Sequence, residues 1–326
     1  MGPKIGRLFT FVILIMHGKG LVIKSAGSTY TVRSSGSVLI DCKLAGKYRL
    51  EDLKSTNPVV VGDWVEFNLE KGERIGRITR VESRINYIIR KSTKLSKSHQ
   101  IIASNIDRLL LMVTVIRPTT YPEFIDRYLV TAEAYNIPAV LLINKIDLYG
   151  DKEKEILEQW KDIYENIGYP CIECSVEKGI NIDRIGNLLK DKVTLIAGNS
   201  GVGKSTLINV IEPDLNLKTG EISDSHKSGK HTTSFAEMFE LRLGGYIIDS
   251  PGIRGFGMTD MEDEPLFHYF PEIFKTSSLC KYHNCTHVNE PNCAVIQAVE
   301  SGHISQSRYK SYLNLLDDQK NDSKYR

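Results

Sequence analysis

Between residues 20 and 90, apolar residues come in short runs broken by Gly, Ser and Asn. Residues 21–23, 30–32, 37–40, 59–61, 63–67 and 76–78 read as strands, rich in Val, Ile, Leu and aromatic side chains. About five short strands at this spacing predict a small β-barrel. Residues 91–98 are polar and without period, a linker by composition. After them the rhythm changes to strand and helix in alternation. Strands are expected at 106–115, 139–143, 193–197 and 245–248, and helices at 122–135, 151–166 and 182–190. That alternation predicts a parallel sheet covered on both faces. Beyond residue 258 the pattern is irregular until a final helical stretch at 305–318.

Composition changes this picture little until it is divided. The chain has 326 residues, 41% hydrophobic and 25% charged, with a formal charge of +2. That excludes a disordered chain, a collagen-like repeat and a disulfide-dense mini-protein, and no apolar run reaches the ~18–20 residues of a membrane span. Residues 17–95 carry 15 Lys and Arg against 8 Asp and Glu, whereas residues 96–260 carry 18 against 23. A basic barrel fits an oligonucleotide-binding (OB) fold and makes nucleic acid a candidate partner, beside the plainer reading of a solvated structural barrel. Residues 8–16 form an apolar run behind Lys4 and Arg7. It resembles a short signal-peptide core but lacks a small-x-small cleavage site. Residues 1–16 are therefore expected to be an extension upstream of a start at Met16, on a cytoplasmic protein.

The strongest chemical signal is Gly198-Asn199-Ser200-Gly201-Val202-Gly203-Lys204-Ser205, which fits G-x-x-x-x-G-K-[ST]. It follows an apolar strand and opens a helix at Thr206, the context the motif requires. Glycines let backbone N–H groups turn toward phosphate oxygens without a Cβ in the way. Lys204 would put positive charge on the β- and γ-phosphates, Ser205 would offer a hydroxyl to Mg²⁺, and the helix N-terminus adds a favourable field.

Two further motifs select the base and the switch. Asn144-Lys145-Ile146-Asp147 ends the strand 139–143. Asp147 would accept from the guanine N1–H and exocyclic amine, which adenine does not offer, so an adenine nucleotide would leave a desolvated carboxylate unpaired. Asp249-Ser250-Pro251-Gly252 fits D-x-x-G: Asp249 would reach Mg²⁺ through water, and the Gly252 N–H would sense the γ-phosphate. Ser175 stands where a base-contacting loop belongs, although a plain strand-end serine explains it equally well. N-K-x-D precedes the P-loop here, the reverse of the ordinary GTPase order. This is a circular permutation, cut after D-x-x-G, and it attaches whatever follows residue 258 to the second switch.

Six cysteines are present. Cys280-x₄-Cys285-x-His287-x₅-Cys293 supplies three thiolates and an imidazole, a full tetrahedral set for a structural zinc ion. On spacing alone His283 could replace His287. Asn292 precedes the last cysteine and suits a left-handed turn. Cys171 and Cys174 have redox spacing but lie along an expected buried strand, and they read as packing.

These motifs resemble the ribosome small-subunit-dependent GTPase A family (RsgA/YjeQ) over residues 17–320. Supporting stretches are 56–63, 101–107, 229–233, 251–257 and the Cys/His cluster. The resemblance implies an OB-fold domain at 17–95, a circularly permuted P-loop GTPase domain at 96–258 and a zinc-binding, helical domain at 259–326. It favours His287 as the fourth zinc ligand. It also prefers Thr233 over Thr232 as the magnesium and γ-phosphate threonine, and it makes His231 the candidate catalytic residue, since Ile253 after D-x-x-G cannot orient water. It implies a monomeric GTPase, without membrane association, that binds GTP and GDP and acts in late maturation of the small ribosomal subunit. Hydrolysis would be stimulated by the ribosome and coupled to release. Arg77, Arg80, Arg84, Arg90 and Lys91 are candidate rRNA contacts. The rival reading is an RNA-binding module that keeps guanine nucleotide as a structural ligand, and a weaker third is an ATPase.

Overall fold

The computed structural model describes residues 15–45, 58–70, 72–90, 100–217, 237–249 and 265–324. The expected linker at 91–98, His231, Thr233 and Gly252 lie outside these residues, as does Lys91.

Five strands close the barrel: β1 (Ile15–Ala26), β2 (Thr29–Ser34), β3 (Leu39–Leu44), β4 (Trp64–Glu70) and β5 (Ile75–Val81). Their order is β1-β2-β3-β5-β4, and β4 returns to β1. All pairs are antiparallel except β3–β5. Residues two apart point inward, as the pleat requires: Tyr30 and Val32, Ile40 and Cys42, Val65 and Phe67 share one core with Val22, Val59 and Ile78. Residues 59–61 are not a strand. They are buried, but Val60 N–H donates to the Asp63 carboxylate, Gly62 N–H donates to Val22 O of β1, and Val61 makes a single bridge to Ala103, so a turn with isolated cross-bonds, not a ladder, satisfies the backbone.

That turn belongs to a polar joint at the base of the barrel. Asp63 accepts from Arg84 Nε and Nη2, each at 2.7 Å, and from Ser104 Oγ at 2.6 Å. Arg84 is therefore buried and paired, not an outward nucleic-acid contact, whereas Arg77 and Arg80 are exposed. The side chain of Asn86 bonds both the N–H and the C=O of Ile106. A separate hairpin of β6 (Tyr87–Arg90) and β7 (Gln100–Ser104) stands at this joint.

The second sheet contains β8 (Arg108–Val113), β9 (Ala139–Ile143), β10 (Cys171–Glu173), β11 (Val193–Ala197), β12 (Glu237–Glu240) and β13 (Tyr246–Asp249). Its order is β10-β9-β8-β11-β13-β12, parallel except for β12. Helices α1 (Pro122–Ala134) and α2 (Asp151–Glu165) cover one face; α3 (Ile182–Leu189) and α4 (Lys204–Ile211) cover the other. Along β8, Leu109, Leu111 and Val113 join the first core, and Leu110 and Met112 the second. Cys171 and Cys174 fall into different cores, as packing residues on opposite faces. The edge strand β12 also meets β1 of the barrel at Lys24 and Glu237, and Arg33 pairs with Glu240.

The C-terminal part comprises α5 (Pro271–Ser277), α6 (Ala294–Glu300) and α7 (Gln306–Lys324). Its core includes Val130 of α1 together with Phe270, Ile273, Val295, Tyr312 and Leu315. Although the permutation joins this part in sequence to the second switch, packing fastens it to α1. Among the described residues, no helix is long and apolar enough to cross a membrane.

Candidate guanine-nucleotide site and metal centre

The parallel strands β8, β9, β11 and β13 deliver their C-terminal ends to one edge of the sheet, where open α/β sheets bind ligands. The P-loop runs from β11 into α4 at this edge. Gly198 (φ +142°) and Gly203 (φ +108°) adopt backbone conformations that a side chain would also obstruct: a Cβ at Gly198 would meet Met112 O at 2.1 Å, and one at Gly203 would meet Asn144 Nδ2 at 2.6 Å. The two motifs are thus packed against each other. Lys204 Nζ donates to Gly198 O and Asn199 O, both at 2.8 Å, which arches its ammonium over the loop. Ser205 is half-buried in the first turn of α4, and Thr206 is exposed beside it.

Asn144 binds three segments together. Its Nδ2 donates to Val202 O of the P-loop at 2.8 Å. Its Oδ1 accepts from Val176 N–H at 3.0 Å and from the Cys174 thiol at 3.4 Å. Lys145, held in a left-handed conformation (φ +66°), sends its Nζ back to Gly201 O at 2.7 Å and to Arg117 O. Asp147 sits on the short helical turn Ile146–Leu148, exposed and without a hydrogen bond to any described residue. The adjoining Ser175 is buried. Its Oγ accepts from Lys178 N–H and its backbone pairs with Ile180, so its polar groups close the 175–180 turn. Asp249 ends β13 opposite Ile196 of β11, next to the strand that feeds the P-loop.

The second constellation lies in the C-terminal part. The Sγ atoms of Cys280, Cys285 and Cys293 and a ring nitrogen of His287 all fall within 4.8 Å of one another. Cys293 Sγ is 3.8 Å from Cys280 Sγ and 3.7 Å from Cys285 Sγ; His287 Nδ1 is 3.6 Å from Cys280 Sγ and 3.4 Å from Cys293 Sγ. A tetrahedral ion with Zn–S of ~2.3 Å and Zn–N of ~2.0 Å has S–S edges of ~3.8 Å and S–N edges of ~3.5 Å. The donor set fits such an ion and leaves no open position. His287 rather than His283 belongs to it, and burial pushes its imidazole below the ordinary range, toward the neutral form a metal ligand needs. His287 and Asn292 both take left-handed conformations, φ +59° and +58°. Glu290 accepts from the N–H groups of Thr286, Val288 and Asn289, and Tyr309 and Tyr312 of α7 donate to His287 O and Thr286 O.

Sequence reasoning passed over three groups that the fold makes structural or positional. Tyr149, the 114–120 loop and the buried cluster of Asp126, Glu272 and Arg308 belong to no short motif. The hint for the last was a charged residue inside each of two amphipathic helical patterns.

Two family models match this chain: the RsgA GTPase over residues 81–259 and the RsgA N-terminal domain over residues 19–78. A Bacteroides fragilis protein named small ribosomal subunit biogenesis GTPase RsgA is 53% identical over 308 residues, covering 94% of this chain and 99% of its own. A Flavobacterium psychrophilum protein of the same name is 48% identical over 311 residues, with 94% of each chain covered. The crystal structure of YjeQ from Thermotoga maritima superposes with a TM-score of 0.76 at 34% identity, over 93% of this chain and 98% of that one. The crystal structure of YloQ, described as a circularly permuted GTPase, gives 0.73 at 29%, over 94% and 96%.

Proposed function

The chain belongs to the RsgA GTPase family, and from that premise we propose that it hydrolyses Mg²⁺·GTP to GDP and phosphate while bound to the small ribosomal subunit, during that subunit's late maturation. The observation that carries the nucleotide part is the pair of bonds Asn144 Nδ2–Val202 O and Lys145 Nζ–Gly201 O. They hold the base-selecting turn and the phosphate loop, 54 residues apart in sequence as counted from Asn144 to Gly198, in one rim.

In this reading the N–H groups of residues 198–206 cradle the phosphates, and Lys204 leaves its loop carbonyls for the β/γ-oxygens. Asp147 accepts from the guanine edge, and the Lys145 stem covers one face of the base. Ser205 and Thr233 would hold Mg²⁺, with Asp249 reaching it through water, and the ion would supply charge neutralisation at the phosphate oxygens. Gly252 would sense the γ-phosphate, and neutral His231 would accept a hydrogen bond from the attacking water. Ser175 contributes by shaping the loop beside the base, its hydroxyl accepting from Lys178 N–H rather than contacting the base.

Zinc is the ion proposed for Cys280, Cys285, His287 and Cys293, in a folding role. The division proposed is a barrel domain at 17–95, a GTPase domain at 96–258 and a zinc domain at 259–326. Exposed Arg77 and Arg80 are the rRNA contacts proposed on the barrel. The protein acts as a cytoplasmic monomer, and its GTP- and GDP-bound states differ in affinity for the particle, so hydrolysis times release.

The test is GTP turnover by the full chain with and without purified small subunits, repeated with His231→Ala. Stimulation by the particle and a drop in kcat of about 10²-fold or more in the variant are expected, the size general acid–base groups contribute. No stimulation, with turnover unaffected by the substitution, would favour an RNA-binding module that holds the nucleotide structurally.

A further inference from the structure

One phenol splices the base-selecting turn to the loop that follows β8. Tyr149 is 6% exposed, with its ring in the core shared by α1 and α2. Its hydroxyl donates to Asn144 O at 2.7 Å and accepts from Val115 N–H at 2.9 Å. A phenol has one proton to give and lone pairs to receive, so this group is engaged both as donor and as acceptor. Two residues beyond Val115, Arg117 O accepts from Lys145 Nζ. The bonds therefore form a closed ring, from Val115 through the Tyr149 hydroxyl to Asn144, along the chain to Lys145, and back through Arg117 to Val115.

Asp147 stands inside the segment that this ring clamps. Lys145 lies two residues before it and Tyr149 two residues after, and Leu148 and Tyr149 N–H close the turn on Lys145 O and Ile146 O. The Asp147 carboxylate makes no bond to a described residue, so its position depends on the backbone that carries it. The geometry points to Tyr149 as a positioning residue for base recognition: its hydroxyl sets where Asp147 stands relative to the P-loop. This rests on the proposed reading of Asp147 as the guanine acceptor. Removing the hydroxyl leaves two buried backbone groups unpaired, and the ring can close only by letting the turn shift.

The experiment compares Tyr149→Phe with Tyr164→Phe in the full chain. Tyr164 is an equally buried tyrosine whose hydroxyl bonds Asp126, away from the nucleotide rim. Both changes keep the ring in the core. Equilibrium dissociation constants are measured for GDP and for inosine diphosphate, which lacks the 2-amino group, below both variants' unfolding transitions. In the unmodified protein GDP should bind more tightly. Tyr149→Phe should shrink the GDP-to-IDP ratio by about ten-fold, whereas Tyr164→Phe should lower the unfolding midpoint and leave the ratio unchanged. A ratio retained in Tyr149→Phe, or lost equally in Tyr164→Phe, overturns the positioning role. If the unmodified protein binds both nucleotides equally, the assignment of Asp147 itself fails and this inference falls with it.

Discussion

Arg308 of α7 donates to Asp126 of α1 at 2.8 Å, and both side chains are essentially excluded from solvent. The same guanidinium reaches Glu272 of α5 through Nε at 2.7 Å and lies over the Phe270 ring at 4.6 Å. Burial penalises the arginine's charge, but two carboxylates offset this and hold its pKa well above the ordinary value. Asp126 also accepts from Tyr164 at 3.0 Å. One cluster thus joins the helix behind the nucleotide sheet to two helices of the C-terminal part, which makes that junction a continuous core and not a hinge.

Breaking this cluster from one side should be costly. Arg308→Ala leaves Asp126 buried without its cation and should destabilise the chain by ~3–5 kcal/mol in denaturant unfolding. The double variant Arg308→Met/Asp126→Asn should lose less than the sum of its single variants, because the stranded charge is removed. Additive losses would show that the pair is not coupled.

Base choice should follow one carboxylate. Asp147→Asn replaces an acceptor with a group that can donate, which matches the xanthine edge rather than the guanine edge. Two hydrogen bonds to a charged acceptor, at ~1.5–3 kcal/mol each, translate into a loss of GTP affinity of about 10²-fold or more. Xanthosine triphosphate should gain correspondingly in competition binding.

The barrel arginines should separate into two classes. Arg77→Ala and Arg80→Ala should leave the fold intact and weaken binding to purified small subunits. Removing one arginine–phosphate ion pair should reduce the log–log salt slope by ~0.7–0.9. Arg84→Ala should instead lower the unfolding midpoint, since it strands Asp63 in the interior. A salt-slope change without destabilisation in Arg84→Ala would contradict the buried pairing.

The metal centre should report its ligands by stoichiometry. The unmodified chain should carry one zinc ion, and Cys285→Ser or chelation should remove it together with much of the helical signal from residues 265–324. Because α1 shares that core through Val130, the unfolding midpoint of the whole chain should fall as well.

Acid sensitivity should include a contribution from the metal loop. Burial raises the Glu290 carboxyl, but hydrogen bonds from Thr286 and from the N–H groups around it hold its pKa at about 2. A depressed carboxylate pKa contributes stability above the unfolded value, ~4.3, that is lost as pH falls through the folded one. Glu290→Gln should flatten the pH dependence of stability between about 4 and 2, as read by thermal unfolding across that window.

The chemistry of this protein was legible in its sequence because it is carried by short motifs. The P-loop needs its glycines where the backbone meets Met112 O and Asn144, and local spacing records that need directly. Cys280, Cys285, His287 and Cys293 converge within 13 residues, and a left-handed Asn292 was foreseeable from its side chain. Alternation placed β9 and β11 at their full length, because strands buried on both faces leave a compact, largely apolar run.

Only the tertiary structure decided which charges face water and which hold the parts together. Val59–Val61 has the apolar content of a strand, yet Asp63 turns it into a joint through bonds to Val60 and Arg84. Arg77 and Arg84 are indistinguishable as letters, but one lies on the barrel wall and the other inside its base. Spacing alone left His283 open beside His287, the ligand the resemblance favours, and it is His287 that reaches the sulfurs. Tyr149 and Arg308 act through partners 34 and 182 residues away. Such pairings depend on where remote segments meet, and a local pattern holds no record of a contact that only the folded chain creates.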